Sequence, residues 1–437
     1  MNFQVGLKNE ELSFDSLGCH VEKLISEFKI NRAVAGDVIL CMADSHLGTL
    51  IQWISCLESG IIPLFVPLDY TIERVQSFNK SISVKLAVKT TKLDSHSFLE
   101  IYPRTDTALM HDIPAGSAIH ITSATSGSPK LVLRKKKQLD TEAARYCKHL
   151  SLTRNDVILP IVPLYHSFGF TSAMLASLKI GAKLVLPEII LPRNIIELCN
   201  AHSATVLLGV PYFFSRMISV SDNYNLKTNI RYVLSSGSPM EDGLQKSFHE
   251  RFGLHLLQQY GSTETGSLAV SEPWDEYNVV GCPIDGVRFD ISADRDEKPW
   301  IYVTSPDTIG SYINENGVVD LSSVPYKMGD VGELNEEGKL VIHGRGDDVL
   351  LLAGKKISRK NVVDIIKKIT EVKEADVFID ETSHFKELSC EYTGESSIPP
   401  DTFITCLKEH LPDYQIPKSF VKVQNISRIN RMSWKQR

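Results

Sequence analysis

The sequence has no run of eighteen apolar residues, no C-x-x-C pair, no surplus of positive charge and no internal repeat. Each absence removes a class of protein. Without a long apolar run, no segment reads as a membrane-spanning helix, and Met1-Asn2-Phe3-Gln4 opens no charged-then-apolar signal segment. Eight cysteines, at positions 19, 41, 56, 147, 199, 282, 390 and 406, lie scattered without zinc-site spacing. They read as reduced, mostly buried thiols. A net charge of -6 leaves no broad positive field for a nucleic-acid backbone. The expectation is a cytoplasmic protein with no transmembrane segment and no nucleic-acid partner. One basic run, Arg134-Lys135-Lys136-Lys137, interrupts that balance and reads as a solvated helix face.

What the chain does contain is ordinary globular material, 43% hydrophobic and 23% charged over 437 residues, enough for more than one core. Short apolar runs alternate with helical periodicity up to about residue 279. Asp37 to Met42, Ile61 to Leu68, Lys85 to Val88, Asp156 to Pro160, Ala182 to Leu186, Thr205 to Leu208 and Ile230 to Leu234 read as buried strands. Strands alternating with helices imply parallel pairing through crossovers. From about 279 the texture turns β-rich and glycine-punctuated, and after Gly344-Arg345-Gly346-Asp347-Asp348 a separate α+β pattern begins. The expected fold is α/β: a large N-terminal region of parallel-rich sheets flanked by helices, a β-rich subdomain, and a small mobile α+β C-terminal domain. The expected boundary divides residues 1–346 from residues 347–437.

Several stretches carry chemistry. Thr122-Ser123-Ala124-Thr125-Ser126-Gly127-Ser128-Pro129-Lys130 follows an apolar-leaning segment and joins hydroxyls, a glycine and a lysine. Backbone N–H groups, rotatable hydroxyls and an ammonium suit a polyphosphate, although the stretch also fits a polar surface turn. It is not the G-x-x-x-x-G-K-[ST] phosphate loop. His166, within Pro163 to Phe170, is a packed core histidine, the wall of an apolar pocket, or a catalytic donor of a hydrogen bond to a carboxylate. Tyr260-Gly261-Ser262-Thr263-Glu264 offers a ring to stack on a base, a hydroxyl for a phosphate and a carboxylate for Mg²⁺. Asp330 between glycines is a turn or a ribose ligand, and Arg345 carries a permanent charge suited to phosphate or ribose.

The order of these stretches resembles the adenylate-forming superfamily, which includes acyl- and aryl-CoA synthetases and the adenylation domains of peptide synthetases. Thr122 to Lys130 resembles its phosphate loop, and Tyr260 to Glu264 matches its Y-G-x-T-E motif. Val280-Gly281-Cys282-Pro283, Gly329-Asp330, Gly344-Arg345 and Leu411 to Pro417 fall in the same sequence. The resemblance implies activation of a carboxylic acid by Mg·ATP to an acyl-adenylate with release of pyrophosphate. Transfer to the thiol of coenzyme A or of a carrier-protein phosphopantetheine follows. It implies that Thr122, Ser123, Thr125, Ser126, Gly127 and Lys130 hold the leaving phosphates, and that Thr263 meets the α-phosphate. It places Glu264 on the metal, Tyr260 and Gly261 at the adenine, and Asp330 with Arg345 at the ribose. Asp347 is the implied hinge, and Lys435 the implied lysine reaching the substrate carboxylate from a mobile lid.

The chain departs from the family pattern at Ala124, where glycine is usual, at Leu351, where many relatives carry lysine, and at Trp434, which precedes Lys435 in place of glycine. These departures motivate an alternative, a nucleotide-binding relative with weak or no thioester formation. Tyr165-His166-Ser167-Phe168-Gly169 lacks the aspartate that pairs with an amino-acid ammonium, so the expected substrate is an aryl or acyl acid. Its expected pocket comprises His166, Phe170, Gly209, Val210, Ser236, Gly237 and Gly261. An acyl or peptidyl carrier protein acting in trans is a possible partner, with Arg134 to Lys137 or Lys355, Lys356, Arg359, Lys360, Lys367 and Lys368 as its docking surface.

Overall fold

The computed structural model of the chain describes residues 4–6, 11–43, 46–68, 70, 82, 84–90, 98–100, 113–122, 130–227, 229–293, 297–314, 317–346, 348–352, 355–380, 387–411 and 413–426. The chain divides into two compact units. One is Met1–Asp290 with Tyr302–Tyr326 and Leu334–Val341; the other is Ile291–Ile301 with Lys327–Glu333 and Ile342–Arg437.

The first unit is built on strands buried along both faces, as parallel pairing demands. Val157–Pro160, Val206–Gly209, Tyr232–Ser235 and Leu256–Ser262 pair in parallel, with Val206 beside Ile158 and Tyr232, and Leu234 beside Leu257. Successive side chains enter different cores because strand side chains alternate. Ile158 and Leu208 pack with the helices Phe14–Ile30, His46–Ser59 and Lys136–His149. Leu159 and Leu207 pack instead with Pro192–His202, Pro211–Ile218 and Leu244–Phe252. Each such side chain, fully buried, is worth roughly 1.5–3 kcal/mol.

A second sheet of the same unit orders Gly317–Asp320, Ser311–Asn314, Leu131–Arg134, Ala118–Ile121, Ile62–Val66, Val38–Ala43, Val84–Thr90 and Phe98–Glu100. Its alternation works the same way. Ile39 and Cys41 join the core shared with the first sheet, while Leu40 and Met42 face another. The expected strands are therefore present at Val38–Ala43, Ile62–Val66, Val84–Thr90, Val157–Pro160, Lys183–Val185, Val206–Gly209 and Tyr232–Ser235.

Two features bear on the site. Leu256–Ser262 is parallel to Tyr232–Ser235 on one side and antiparallel to Gly266–Val270 on the other. A tight turn thus forms beyond the carboxyl ends of parallel strands, where open α/β sheets bind ligands. The basic run is also not a solvated face throughout. Arg134 closes the strand Leu131–Arg134 and is 1% exposed, while Lys135, Lys136 and Lys137 are exposed. A residue that ends a strand follows the period of two, which turns Arg134 inward.

In the second unit, Val372–Asp380 and Glu387–Gly394 pair antiparallel, and Ser419–Lys422 adds in parallel. Helices Arg359–Ile366 and Pro400–Lys408 cover the sheet through Val362, Ile366, Phe403 and Leu407. Ser358 caps the first helix by accepting from Asn361 N–H at 3.2 Å.

Candidate active site

Thr122 and Lys130 stand at the two feet of the hydroxyl-rich loop. Thr122 N–H donates to the Lys130 carbonyl at 3.0 Å, and Lys130 N–H donates to Thr122 Oγ1 at 3.4 Å. Ser123, Ala124, Thr125, Ser126 and Gly127 lie outside the described residues. The exposed Lys130 ammonium sits 4.7 Å from the ring centroid of Tyr312, a cation–π distance.

The turn after Leu256–Ser262 is tightly specified. Its strand shifts register between Tyr260 and Gly261, and a Cβ at 261 would lie 2.1 Å from the Gly266 carbonyl. Gly261 is therefore needed for close backbone approach, before any ligand is considered. Ser262 N–H donates to Thr265 Oγ1 at 3.2 Å, and Thr265 N–H donates to Ser262 Oγ at 3.3 Å. Thr263 and Glu264 form the tip, both half-buried. The Thr263 hydroxyl lies 3.3 Å from Ser167 Oγ. Tyr312 O–H donates to Glu264 Oε1 at 2.7 Å and lies 2.9 Å from the Tyr326 hydroxyl. Burial, then the Glu264 charge, raises the Tyr312 pKa far above the ordinary phenol range, so it stays a donor. One phenol thus touches both the loop lysine and the turn carboxylate. Tyr260 is half-buried, with its ring 6.3 Å from that of Phe289.

Below the tip, the side chains are buried and polar. Tyr146 O–H donates to Gln259 Oε1 at 2.9 Å, and Gln259 Nε2 donates to Ser172 and Ser267 Oγ at 2.8 and 2.7 Å. Ser172 belongs to a π-helix, Gly169–Leu175, which follows the histidine segment directly. His166 itself is exposed, although the protein crowding around it lowers its pKa below the ordinary imidazole value. Phe170 takes a packing place: it has no exposed surface, and its ring lies 4.9, 5.4 and 4.8 Å from Trp53, Phe65 and His120.

The other expected wall residues divide likewise. A Cβ on Gly209 would lie 2.7 Å from the Phe214 ring, so that glycine admits a core aromatic. Val210 and Ser236 are half-buried and Gly237 is exposed, at the carboxyl ends of Val206–Gly209 and Tyr232–Ser235. Ser236 N–H donates to the Gly209 carbonyl at 3.1 Å, which keeps these two strand ends together. In the second unit, Arg345 Nη1 lies 3.3 Å from Asp330 Oδ1 and also donates to the Met328 carbonyl at 3.4 Å. Asp347 and Lys435 lie outside the described residues.

Residues 3–312 match the model of the family described as AMP-binding enzyme. The chain belongs to that family. Among the relatives of this AMP-binding enzyme is the 2-succinylbenzoate–CoA ligase of Listeria monocytogenes (strain EGD-e), 25% identical over 432 residues, spanning 96% of this chain and 92% of that one. The 3,4-dihydroxybenzoate–[aryl-carrier protein] ligase of Bacillus anthracis is 22% identical over 426 residues, spanning 96% and 94%. The o-succinylbenzoate coenzyme A synthetase of Bacillus subtilis, solved with its acyl-adenylate intermediate, shares the fold. Its TM-score is 0.76 at 19% identity, over 98% of this chain and 93% of that one. The chain is an AMP-forming acid–thiol ligase.

The residues present fit a magnesium ion. Mg²⁺ is usually held by one or two carboxylates, with waters and substrate phosphates completing its shell. Tyr312 occupies Oε1 of Glu264, and no described residue donates to Oε2. Among the described residues no cluster of three or more His, Cys, Asp or Glu forms a closed cage. Sequence reasoning missed Tyr312, Arg134 and Glu142. The first had a weak signal, a tyrosine two residues after Gly310 on an extended segment.

Proposed function

We propose that the turn at Thr263 and Glu264 is the adenylation centre for an aryl or acyl acid lacking a free ammonium. The observation that carries this reading is Tyr312, whose phenol donates to Glu264 while its ring lies under Lys130. A polyphosphate with its cation needs an ammonium and a carboxylate at fixed separation, and one side chain spans the two. A bound Mg²⁺ would neutralise phosphate charge as the carboxylate approaches. The chain's own residues do the rest. Lys130, with the Thr122, Ser123, Thr125 and Ser126 hydroxyls and Gly127, would hold the leaving phosphates, and the Thr263 hydroxyl would orient the α-phosphate. Tyr260 and Gly261 would flank the adenine, and Asp330 with Arg345 the ribose.

His166, Val210, Ser236 and Gly237 would line the acid pocket, with Phe170 and Gly209 supporting it from the core. Lack of a carboxylate in the His166 segment leaves an amino-acid ammonium without its counter-charge, a cost of several kcal/mol if buried. Residues 347–437 would act as the lid, turning at Asp347 and carrying Lys435 to the substrate carboxylate. The acceptor is coenzyme A or a carrier protein. For a carrier, the exposed Lys135, Lys136 and Lys137 remain available, as do Lys360, Lys367 and Lys368, whereas Arg134 and the Asp376-paired Arg359 do not.

The test is ATP–pyrophosphate exchange across a panel of aryl, acyl and amino acids. Exchange that depends on an aryl or acyl acid is expected. Exchange with no acid sinks the reading and favours a nucleotide-binding relative; exchange with amino acids alone overturns the pocket.

A further inference from the structure

The run Arg134-Lys135-Lys136-Lys137 hides one residue that behaves unlike its neighbours. Arg134 Nη2 lies 2.6 Å from Glu142 Oε2, and the two side chains are 1% and 2% exposed. An ion pair so fully desolvated is seldom retained for stability, because an apolar pair of similar volume does as well or better. Its remaining bonds suggest another purpose. Arg134 Nη1 donates to the Thr263 carbonyl at 3.2 Å, and Glu142 Oε1 accepts from Ser267 N–H at 2.9 Å. The pair therefore grips the turn at both ends, four residues apart.

The turn is shaped to receive it. Gly266 has φ +74°, and a Cβ there would lie 2.3 Å from the Glu142 carboxyl carbon. Gly310 N–H donates to the Glu264 carbonyl at 2.8 Å, and a Cβ on Gly310 would lie 2.7 Å from Arg134 Cδ. The backbone on either side of Glu264 is thus fixed from beneath by Arg134 and the residue packed on its stem. Among the described residues no partner reaches the buried Arg134 Nε, so the guanidinium meets Thr263 and Glu142 with its third nitrogen unsatisfied. Arg134 also ends the strand that leaves the Lys130 loop.

The geometry points to the Arg134–Glu142 pair as the positioning element that holds Thr263 and Glu264 in place for Mg·ATP. This inference rests on the adenylation role of that turn. Neither residue touches substrate; both act through the turn. A carboxylate displaced by an ångström would bind the cation more weakly and lower the chemical rate, with little effect on an acid bound elsewhere in the pocket.

The deciding variant is Arg134→Lys, which keeps the charge opposite Glu142 but cannot reach both partners with a planar fork. Expected are an exchange kcat about 10-fold lower, a half-saturating Mg²⁺ concentration raised about 5-fold, and an acid KM within about 2-fold of wild type. A folded Arg134→Lys protein with wild-type kcat and Mg²⁺ dependence overturns the proposal. Should that variant unfold, Arg134→Met/Glu142→Met removes both charges and permits the same measurement. ATP binding titrated against Mg²⁺ by calorimetry, without acid, separates the two readings. If no acid supports exchange, the proposed function fails, while an unshifted Mg²⁺ dependence of ATP affinity in Arg134→Lys still sinks this inference alone.

Discussion

Two arginine–carboxylate pairs differ in how far water reaches them. Arg134 and Glu142, in the first unit, are 1% and 2% exposed, with further bonds to Thr263 and Ser267. Arg345 and Asp330, in the second, are 47% and 14% exposed, at 3.3 Å. Water reaches the exposed Arg345 guanidinium at little cost, so a ribose or phosphate can take its place beside it. Nothing can replace a partner of the first without leaving a charge stranded in a dry interior. The same chemistry is a fixture in one place and an exchangeable contact in the other.

The sharpest test of that contrast is stability. Glu142→Ala should cost about 3–5 kcal/mol in denaturant unfolding, since it strands the Arg134 guanidinium. Asp330→Ala should cost less than about 1 kcal/mol. Similar losses would erase the distinction. On the activity side, Glu264→Gln should lower acid-dependent exchange by about 10²-fold or more, because the charge facing the cation is lost while the Tyr312 bond is kept. An unchanged Mg²⁺ requirement would remove Glu264 from the metal.

Acid should weaken the first unit in particular. His46 and His120 are buried there, and desolvation lowers their pKa values to about 4 and about 3. Unfolding releases both to ordinary values near 6.5, so the unfolded chain holds more protons between those limits. Their contribution is therefore complete above about pH 6.5 and falls as the pH drops, by up to about 1.4 kcal/mol per unit for each histidine. Unfolding midpoints at pH 7, 6 and 5 measure the slope. His120→Asn, which can still donate to the Tyr165 carbonyl, should flatten it, and an unaltered slope would clear His120 of any part. The smallest effect belongs to Arg345→Ala: stability within about 0.5 kcal/mol of wild type, but a KM for ATP raised roughly 10-fold. An unaltered KM would make the exposed pair a surface contact only.

Much of this was legible before the structure. Short continuous apolar runs marked the parallel strands because a strand buried on both faces has little polar alternative. The Tyr260 to Glu264 motif was legible because its residue types are dense in chemistry. Arg134 was not, since a lysine-rich sequel disguised a strand end, and its partner Glu142 sits on the helix Lys136–His149 where any acidic residue would look exposed. Phe170 and Gly209 misled for a related reason. Gly209 ends a strand and Phe170 lies in the π-helix after the histidine segment, yet Phe170 faces Trp53 and Gly209 faces Phe214, a choice fixed by tertiary packing that spacing alone does not carry.

The π-helix Gly169–Leu175 links Ser167, which meets Thr263, to Ser172, which meets Gln259. Its ladder accommodates one residue more than an α-turn would. Removing a single residue there would let the segment wind as ordinary α-helix, and each residue of helix is worth about 100° of rotation. Ser167 and His166 would then swing away from the turn while Ser172 stayed bonded to Gln259. If His166 walls the acid pocket as proposed, a one-residue surplus in the neighbouring helix sets where that wall stands, and chain length at this point becomes a determinant of acid choice.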